Sequence, residues 1–323
     1  MMTSIFDFIS TNALILITAL LLDRLLGEPK TWHPLIWFGR WVDLVRTYTV
    51  VPLTSQPVKQ NRAGALAWCL AIMPWLVLLW ALYAVLPAWL DNTLSVVLVY
   101  FAIGWQSLRE HAQVVSEPLM RRKKSNPIED DRALQQAREA VGHIVSRDTQ
   151  NLSADEVAKA SIESVLENGN DAIFAPIFWF IVAGVPGLFV YRLANTLDAM
   201  WGYKNETFQH YGWFAARADD VLNYLPARLV VYTYGACGEW SAALRSARRP
   251  SASWKSPNAG PVMAAGAGAL GIALGGKAPY FGQVQERPIL GEGRSPQSED
   301  IAKAVELVDR SLYLWGLVIC LLF

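Results

Sequence analysis

The sequence is poor in the residues on which nucleophilic and soft-metal chemistry usually depends. Only 3 of its 323 residues are cysteine and 4 are histidine. Cys69, Cys237 and Cys320 stand singly in apolar surroundings, without CxxC or Cys/His spacing. The histidines form no pair at ligand spacing, and no Ser-His-Asp or Cys-His set is evident. A disulfide framework, a zinc site and covalent catalysis by such a set are therefore not expected.

The sequence also lacks a surplus of either charge, whereas apolar residues are abundant. Its 28 basic and 28 acidic residues cancel, so no nucleic-acid partner is expected. Hydrophobic residues make up 53% of the chain. The apolar runs at 4–22, 63–90 and 93–105 predict an all-α, polytopic integral membrane protein with large polar connections. We expect residues 1–323 to form a single membrane-embedded domain.

The distribution of lysine and arginine predicts how the chain is oriented. Both are frequent in 24–62 and after residue 105, including the basic run 121–124, whereas the turn at 87–92 has neither. The positive-inside rule therefore places 24–62 and 106–170 in the cytoplasm. Residues 106–170 should form a helical connection.

That connection contains two predicted helices. An apolar stripe from Ala133 to Ile144 predicts an amphipathic helix over 129–145. Ser153 and Glu156 form a capping box that should open a second helix, which runs to about Glu167.

The second helix carries a ladder of carboxylates towards an apolar run. Glu163, Glu167 and Asp171 follow one another at intervals of four residues, and Asn168 lies beside them. Like charges at this spacing repel each other on a helix. The ladder is therefore either a solvated acidic face or a cation site, and we favour Mg²⁺ bound by Glu163, Glu167 and Asp171.

The following apolar run, 172–190, is interrupted by Pro176 and by the segment Gly184–Gly187. These breaks predict a bent, re-entrant element. Such an element would return the next polar stretch, 191–228, to the cytoplasmic side, where ATP is available.

The stretch 191–228 groups carboxylates, amides and cations between two apolar flanks. These residues are Asn195, Asp198, Tyr203, Lys204, Arg217, Asp219, Asp220, Asn223 and Arg228. Carboxylates with amides suit a hard divalent cation, and the basic residues suit the phosphates that such a cation carries. A polar loop with ordinary ion pairs is the alternative.

The C-terminal third contains a glycine-rich run that resembles a P-loop only superficially. In residues 271–278, Ala278 replaces the Ser or Thr that would bind Mg²⁺, and no strand pattern precedes the run. We expect either small-residue helix packing or close approach of the backbone to a phosphate over 256–276. A Pro/Gly loop over 279–297 and an amphipathic helix from Ser298 should follow, with an apolar tail at 311–323.

Several motifs together resemble one known family over most of the chain. They are LDRLLGEPKTWHPLIWFGR (22–40), SRDTQNL (146–152), ESVLENGNDAIFAP (163–176), NTLDAMWGYK with ARADDVLNYLPAR (within 191–229) and SPNAG with GALGIALGG (within 256–276). On these residues the chain is similar to the membrane-bound adenosylcobinamide-phosphate synthases of cobalamin biosynthesis.

The resemblance implies a ligase that joins (R)-1-aminopropan-2-ol, or its O-phosphate, to a propionate of adenosylcobyric acid. It implies ATP as co-substrate, Mg²⁺, an adenosylcorrinoid substrate and a multi-pass inner-membrane location with the active-site loops on the cytoplasmic side. Association with other late membrane enzymes of the pathway is a further expectation.

The resemblance also assigns candidate residues. The catalytic candidates are Glu163, Glu167, Asp198, Asp219 and Asp220. The candidates for substrate or phosphate binding are Asp23, His33, Arg40, Arg147, Asp148, Asn168, Asn195, Tyr203, Lys204, Arg217, Asn223, Arg228, Ser256 and Asn258.

The chain departs from the usual residues of the family at four places, which indicates a diverged member. These are Ser146, the tripeptide 170–172, Trp254 and Met263. A membrane transporter and a non-catalytic scaffold are the alternative functions. A transporter would carry its ionisable residues in mid-span, whereas here they lie mainly in connections.

The orientation leads to a direct test. A reporter that is active only in the cytoplasm, fused near Lys124, should be active because the flanking basic segments are retained inside. The control is the same reporter fused in the 87–92 turn, which should be silent. Activity of an exported reporter at Lys124 would contradict the orientation.

Overall fold

The computed structural model describes residues 2–29, 31–52, 54–122, 125–202, 208–249, 254, 256–280 and 283–322. Two compact units are distinguished by their internal contacts. The first unit comprises the described residues up to Gly104 together with Ala175–Asn223, and the second comprises Trp105–Phe174 and Tyr224–Leu322. The predicted single membrane-embedded domain stays a prediction.

Most of the described chain is helical, as predicted. The helices are α1 (Met2–Leu26), α2 (Pro34–Thr49), α3 (Pro57–Val85), α4 (Ala88–Ala102), α5 (Trp105–Met120), α6 (Pro127–Gly142), α7 (Ala154–Gly169), α8 (Ala175–Trp201), α9 (Trp213–Cys237), α10 (Trp240–Arg248), α11 (Ala259–Leu270) and α12 (Glu299–Leu322). A π-helical turn, Asn170–Phe174, joins α7 to α8.

Local signals explain where the N-terminal helices stop and start. Gly27 follows α1 with φ 64°, a left-handed conformation that glycine adopts without strain. His33 caps α2, because its Nδ1 accepts a hydrogen bond from the backbone N–H of Leu35 at 3.2 Å. Pro34 then occupies the first turn, where its missing N–H costs nothing. Gly27 therefore ends α1, and His33 with Pro34 opens α2.

The first unit is built on an apolar core where α2, α3 and α8 pack together. Phe38, Ile72 and Trp201 are buried there. Gly64 permits a close backbone approach, since a Cβ on it would lie 1.8 Å from the carbonyl oxygen of Tyr211.

In the second unit, α7 packs against α5, α6, α11 and α12. Its capping box is present, with Ser153 and Glu156 bonded reciprocally. Tyr234 is fully buried and donates its hydroxyl hydrogen bond to the carbonyl of Leu166 at 3.0 Å. Because most of α7 is buried, its polar residues must find partners inside this unit.

The glycine/alanine run forms α11, and its small residues allow tight helix packing. A Cβ on Gly266 would lie 2.5 Å from the Leu166 side chain, and one on Gly268 would lie 2.5 Å from the carbonyl oxygen of Ala242 on α10. The small-residue interpretation of this run is therefore confirmed for α11.

Short β-ladders interrupt the helical fold, so the all-α prediction was incomplete. Strand β1 (Ala273–Gly275) pairs antiparallel with β4 (Ile289–Gly291), and β2 (Ala278–Tyr280) pairs with β3 (Gln283–Gln285). Three of these strands lie wholly or partly within the predicted 279–297 loop. Three-residue strands have too few positions to show an alternating pattern, which explains why the sequence did not reveal them.

One predicted boundary was wrong and one helix was missed. The break before α4 lies at Leu86–Pro87 rather than at Asp91, which is inside α4. Proline explains this shift, since Pro87 precedes α4 and favours an extended backbone before it. Helix α5 was missed within the polar stretch. The C-terminal helix α12 continues into the apolar tail as expected, to Leu322.

The predicted bend in 172–190 is confirmed, at one of the two expected breaks. Ala183 (φ −135°, ψ 16°) and Gly184 (φ 61°, ψ −158°) leave the helical conformation inside α8. Pro176 is accommodated in the first turn of the helix. Whether the element is re-entrant stays a prediction.

Two described helices are long and apolar enough to cross a membrane, by length and composition only. They are Pro57–Val85 and the continuous helix Ala154–Trp201, which includes the π-helical turn. Only 22% of the apolar window of the first is buried inside the protein. A multi-pass arrangement and the cytoplasmic side stay predictions.

The contact at Gly268 predicts a defined loss of stability. Gly268→Ala should lower the free energy of unfolding by about 1–3 kcal/mol, because the added methyl meets backbone rather than a movable side chain. Unfolding of the purified protein in detergent, followed by circular dichroism, measures the change. Gly316→Ala is the matched control: apart from the adjacent residues and helix backbone, no atom of the described residues lies within 4 Å of its Cβ position, so this change should stabilise α12 by up to about 1 kcal/mol. Equal behaviour of the two variants would contradict the packing.

Candidate functional site

A cavity of about 340 Å³ lies in the second unit, and four segments line it. They are the connection after α6 (Ile144 to Arg147), one face of α7 (Glu163, Ser164, Glu167 and Asn168), the segment that opens α11 (Trp254, Ser256, Ala259 and Met263) and residues from β3 onwards (Gln285 to Pro288). The cavity therefore collects residues from three of the motifs that the sequence singled out.

Glu163 is the buried centre of this lining, with 2% of its surface exposed. Arg287 donates to both of its carboxylate oxygens, each at 3.0 Å, in a bidentate pair. Arg147 donates to Oε2, and the backbone N–H of Gly275 donates to Oε1 at 2.9 Å. One carboxylate thus fixes two guanidinium groups whose side chains are only 8% and 9% exposed.

The glycine-rich segment supplies this carboxylate with a backbone donor. Gly275 has φ 74°, and a Cβ on it would lie 2.0 Å from the carbonyl oxygen of Pro288. Only glycine fits this conformation and this close approach. The carbonyl of the next residue, Gly276, accepts a hydrogen bond from Arg287 Nε at 3.2 Å. The described backbone at Gly275 thus contacts a protein carboxylate.

Two departures from the usual residues of the family meet in this cavity. Trp254 and Met263 both line it, and the Arg287 guanidinium lies 5.2 Å from the centre of the Trp254 ring. This distance is typical of a cation–π contact. The two positions therefore give the cavity an apolar wall beside its cations.

Ser256 and Asn258 organise the start of α11. Ser256 Oγ accepts hydrogen bonds from the backbone N–H groups of Asn258 at 3.2 Å and of Ala259 at 3.3 Å. Asn258 Oδ1 accepts one from Arg228 Nη1 at 3.2 Å, and the same guanidinium lies 4.3 Å from the ring centre of Tyr224. Of these predicted binding residues, Ser256 is part of the cavity lining.

A second polar cluster lies in the first unit, around Asp219 on α9. Asn223 Nδ2 donates to both carboxylate oxygens of Asp219, at 3.1 and 3.0 Å, and Asn195 Nδ2 donates to Oδ1 at 3.1 Å. Tyr191 in turn donates to Asn223 Oδ1 at 3.1 Å. Asn223 thus binds Asp219 from one turn further along α9, and Asn195 joins them from α8.

The environment of Asp219 raises the pKa of its carboxyl group. Burial raises the pKa of Asp219 and the nearby Asp220 adds to the rise, while the amide hydrogen bonds from Asn195 and Asn223 oppose it. Asp220 itself lies 3.7 Å from Arg217. A positive ion close to Asp219 would relieve the cost of burying its charge.

The remaining candidate of α8, Asp198, lies near the end of that helix. Its carbonyl oxygen accepts a hydrogen bond from the backbone N–H of Gly202 at 2.6 Å. A Cβ at Gly202 would lie 2.7 Å from the carbonyl oxygen of Asp198, so this position favours glycine. Tyr203 and Lys204, as well as Lys123 and Lys124 of the basic run, lie outside the described residues.

The N-terminal candidates belong to the first unit. Asp23 is 1% exposed, and His33 is buried beside Glu28, whose carboxylate lies 3.7 Å from its Nε2. Burial lowers the pKa of His33; Glu28 opposes this, and Arg192 reinforces it. Arg40 lies over the ring of Trp37 at 5.3 Å.

The last candidates of the second unit have local contacts. The backbone N–H of Asp148 donates to the carbonyl of Pro279 at 3.2 Å, which ties the SRDTQNL segment to β2. Asn168 donates to the carbonyl of Ser164 at 2.9 Å. Asp171 accepts a hydrogen bond from Asn170 at 2.8 Å and is not among the residues that line the cavity.

The three carboxylates of the ladder therefore lie in different surroundings. Glu163 holds two arginines, Glu167 lines the cavity and Asp171 lies in the π-helical turn. Within the described ranges, no group of three or more His, Cys, Asp or Glu side chains is placed to hold a metal ion. Mg²⁺ at the ladder stays a prediction, and it would require Glu163 to exchange its present contacts. A shared cavity for the ladder and residues 195–228 also stays a prediction.

Sequence analysis did not predict Arg287 as a member of the site, and it placed Gly275 in the GALGIALGG motif without identifying Glu163 as its partner. Arg287 pairs with a carboxylate 124 positions away in the chain, and Gly275 with the same group across 112 positions. Spacing rules describe neighbours on one element, so they carry no signal for such a contact. In the sequence, Arg287 is marked only by its position in a Pro/Gly-rich segment.

Comparison with known proteins agrees with the motif resemblance. A family model described as CobD/Cbib protein matches residues 16–308. The chain is 54% identical over 307 residues to a protein named cobalamin biosynthesis protein CobD from Chromobacterium violaceum, covering 94% of this chain and 95% of that one. A protein of the same name from Stutzerimonas stutzeri is 50% identical, with 94% and 95% covered.

A more distant relative, named cobalamin biosynthesis protein CbiB, comes from Salmonella arizonae. It is 34% identical over 311 residues, which cover 92% of this chain and 91% of the relative. No solved structure matches the chain significantly.

The pairing of Glu163 predicts a large effect of its removal. Glu163→Gln should lower the free energy of unfolding by about 3–5 kcal/mol, because two buried guanidinium groups lose their counter-ion. Chemical unfolding in detergent measures this. Glu156→Gln on the same helix is the control: Gln also serves in a capping box, so its effect should stay within about 1 kcal/mol. If the two variants were equally stable, Glu163 would not have the anchoring role.

Proposed function

Because the chain belongs to the CobD/CbiB family of cobalamin biosynthesis proteins, we propose that it is an ATP-dependent ligase of that pathway. Its reaction would join (R)-1-aminopropan-2-ol, or its O-phosphate, to a propionate of adenosylcobyric acid. The observation that carries the proposal is the cavity of the second unit, where Arg147 and Arg287 converge beside Glu167. Phosphate chemistry requires cations of this kind, held in place before the substrate arrives.

The proposed reaction has two steps, because a carboxylate is a poor electrophile. First, a propionate oxygen attacks the γ-phosphorus of ATP; the bond from that phosphorus to the bridging oxygen breaks, and ADP leaves. Second, the amine nitrogen attacks the acyl carbon; the bond from this carbon to the phosphate oxygen breaks, inorganic phosphate leaves and the nitrogen releases a proton. One ATP is consumed for each amide, and no oxidant or reductant is needed. Such phosphoryl transfer asks the protein mainly for positioning and charge.

The residues of the cavity can supply both the positioning and the charge. The two guanidinium groups are fixed by Glu163, so little side-chain entropy is lost when they bind phosphate oxygens. Ser256 presents a hydroxyl in the same lining, at the start of α11. The positive end of that helix dipole also favours an anion.

Mg²⁺ is a further element of the proposal, and the cluster around Asp219 fits it. The described hydrogen-bond partners of the Asp219 carboxylate are the side-chain amides of Asn195 and Asn223. All three side chains carry oxygen atoms, and the pKa of Asp219 is raised. Mg²⁺ needs only one or two protein carboxylates, since waters and other oxygen ligands complete its shell. Asp219, with Asp220 next to it, would hold the ion, a Lewis acid that draws charge from the oxygens that it binds.

The setting in the cell is also proposed. Two helices agree with membrane insertion by length and composition. We propose a multi-pass protein of the inner membrane whose cavity opens towards the cytoplasm, the compartment that contains ATP. A transporter or a scaffold would require no amide product, so product analysis separates these alternatives.

The decisive test is detection of the product. Purified protein, adenosylcobyric acid, aminopropanol phosphate and MgATP should yield the amide by mass spectrometry, with one ADP and one phosphate for each amide. Omission of ATP should abolish the product.

Asp219→Asn should raise the Mg²⁺ concentration for half-maximal rate by about 10-fold or more, as happens when groups that support a metal are removed. Arg121→Gln, at an exposed pair on α5, is the control and should behave as wild type. Absence of product and of ATP turnover in folded protein would refute the ligase.

A further inference from the structure

Helix α10 and the end of α9 present a basic and aromatic surface that the proposed reaction does not use. We propose that this surface of the second unit binds the headgroup of an anionic phospholipid at the membrane surface. It is called the arginine face here, and it consists of Tyr232 on α9 and of Trp240, Arg245, Arg248 and Arg249 from α10 onwards. The inference rests on the proposed membrane setting but is independent of the proposed reaction.

Helix α10 is attached to the second unit by one side only. Its small residues Ala242, Ala243 and Ser246 are buried, and this side packs against α11 where Gly268 approaches Ala242. An isolated helix of nine residues is marginal in water, so this packing stabilises α10. The opposite side is exposed and is therefore available to a ligand.

Polarity changes in steps along the path from α9 to α10. Leu225 and Leu229 are exposed on α9, and Tyr232 follows on the same face at helical spacing. The ring centre of Tyr232 lies 6.3 Å from that of Trp240, which begins α10, and both rings are about half exposed. The arginines follow in the last turn of α10 and at its end. Aliphatic, aromatic and basic residues in this order match the hydrocarbon, the interface and the headgroups of a bilayer.

Glu292, which directly follows β4, holds two of the arginines in place. Arg245 Nε donates to its Oε1 at 3.0 Å, and Arg249 Nη1 lies 3.1 Å from its Oε2. The two arginine side chains are nevertheless 57% and 63% exposed. Because a guanidinium has five N–H donors, each retains donors that can bind a phosphate.

The arginine face has an excess of positive charge. Arg248 is exposed, and its guanidinium has no ion pair among the described residues. Helix α10 contains no acidic residue, and Glu239, which caps its start, lies at the opposite end from the arginines. Three guanidinium groups against the single carboxylate of Glu292 leave two positive charges. An anionic headgroup supplies the complementary charge, whereas a zwitterionic headgroup does not.

The apolar part of the surface selects a lipid over a small anion. A free phosphate could contact the arginines but would leave Leu225, Leu229 and the two aromatic rings in water. A phospholipid matches both parts, since its phosphate accepts hydrogen bonds while its acyl chains cover the aliphatic residues. The combination of charge and apolar surface therefore favours the lipid.

Competition binding measures the lipid preference. Full-length protein in a neutral detergent is equilibrated with fluorescently labelled phosphatidylglycerol, which is then displaced by unlabelled phosphatidylglycerol or by phosphatidylcholine with the same acyl chains. The anionic lipid should compete at about 10-fold lower concentration, as expected for two unmatched arginines near a lipid surface. Equal competition by the two lipids would overturn the proposal.

The same assay separates a lipid from a free anion. At equal ionic strength, sodium phosphate and sodium chloride should weaken lipid binding to the same extent, because both act by screening. Stronger inhibition by phosphate would indicate a site for the free anion and would also overturn the proposal.

A pair of variants locates the preference on the protein. Arg248→Gln should reduce the preference about 5-fold, the effect of one basic residue at an anionic membrane surface. Its fold should be retained, since no ion pair within the described residues is lost. Arg310→Gln is the matched control: Arg310 is exposed on α12, but Glu306 matches its charge, so the preference should stay unchanged. An unchanged preference in Arg248→Gln would refute the site.

Depth measurements place the arginine face relative to the bilayer. A nitroxide attached to Ser241→Cys, in a chain without its three cysteines, should lie at the level of the phosphates in vesicles of phosphatidylglycerol and phosphatidylcholine. A label at Leu225→Cys should be accessible to oxygen in the hydrocarbon, and one at Gln136→Cys, exposed on α6, to a water-soluble nickel chelate. If the label at Ser241 were as accessible to the chelate as the label at Gln136, the proposal would be contradicted.

The outcomes distinguish this inference from the proposed function. Absence of amide product together with the expected lipid preference would refute the ligase alone. Product formation by a chain that stays in vesicles but does not prefer phosphatidylglycerol would refute the arginine face alone. A chain that an alkaline wash removes from the vesicles would refute the membrane setting and, with it, this site.

Discussion

The second unit is organised around the buried carboxylate of Glu163. Glu163 accepts hydrogen bonds from two arginines and one backbone N–H that come from three separate parts of the chain. A buried charge is tolerated only when it is matched, so each partner is needed by the others. The carboxylate and both arginines line the cavity. The cationic side chains of the lining are therefore the ones that pair with the buried carboxylate of Glu163.

Much of the helical framework was predictable, because its signals are local. The capping box at Ser153, the glycine stop at Gly27 and the break near Gly184 involve residues within a turn of one another. Helix α5 was not predicted, although its buried residues recur at helical spacing from Trp105 to Leu119. The polar and charged residues between them leave no continuous apolar run, so the signal of this helix is its periodicity alone.

The candidate site was predictable only in part. The motifs identified Glu163, Arg147, Glu167 and Ser256 as candidate residues, and all four line one cavity. Arg287 was not predicted, since its partner is remote in sequence and its neighbourhood has no motif. The same limit applies to the short β-ladders, which are held by pairing across a connection rather than by local propensity. Contacts of this kind are properties of the folded chain.

The remoteness of the partners of Glu163 has a consequence for biogenesis. Arg147 precedes Glu163 and is available at once, whereas Arg287 is synthesised 124 residues later. At about 5–20 residues per second, translation needs roughly 6–25 s to supply it. During that interval the nascent chain carries an incompletely neutralised acid next to an apolar segment. Maturation of this unit must therefore wait until its last quarter has left the ribosome, and a chain that terminates early has no route to an assembled cavity.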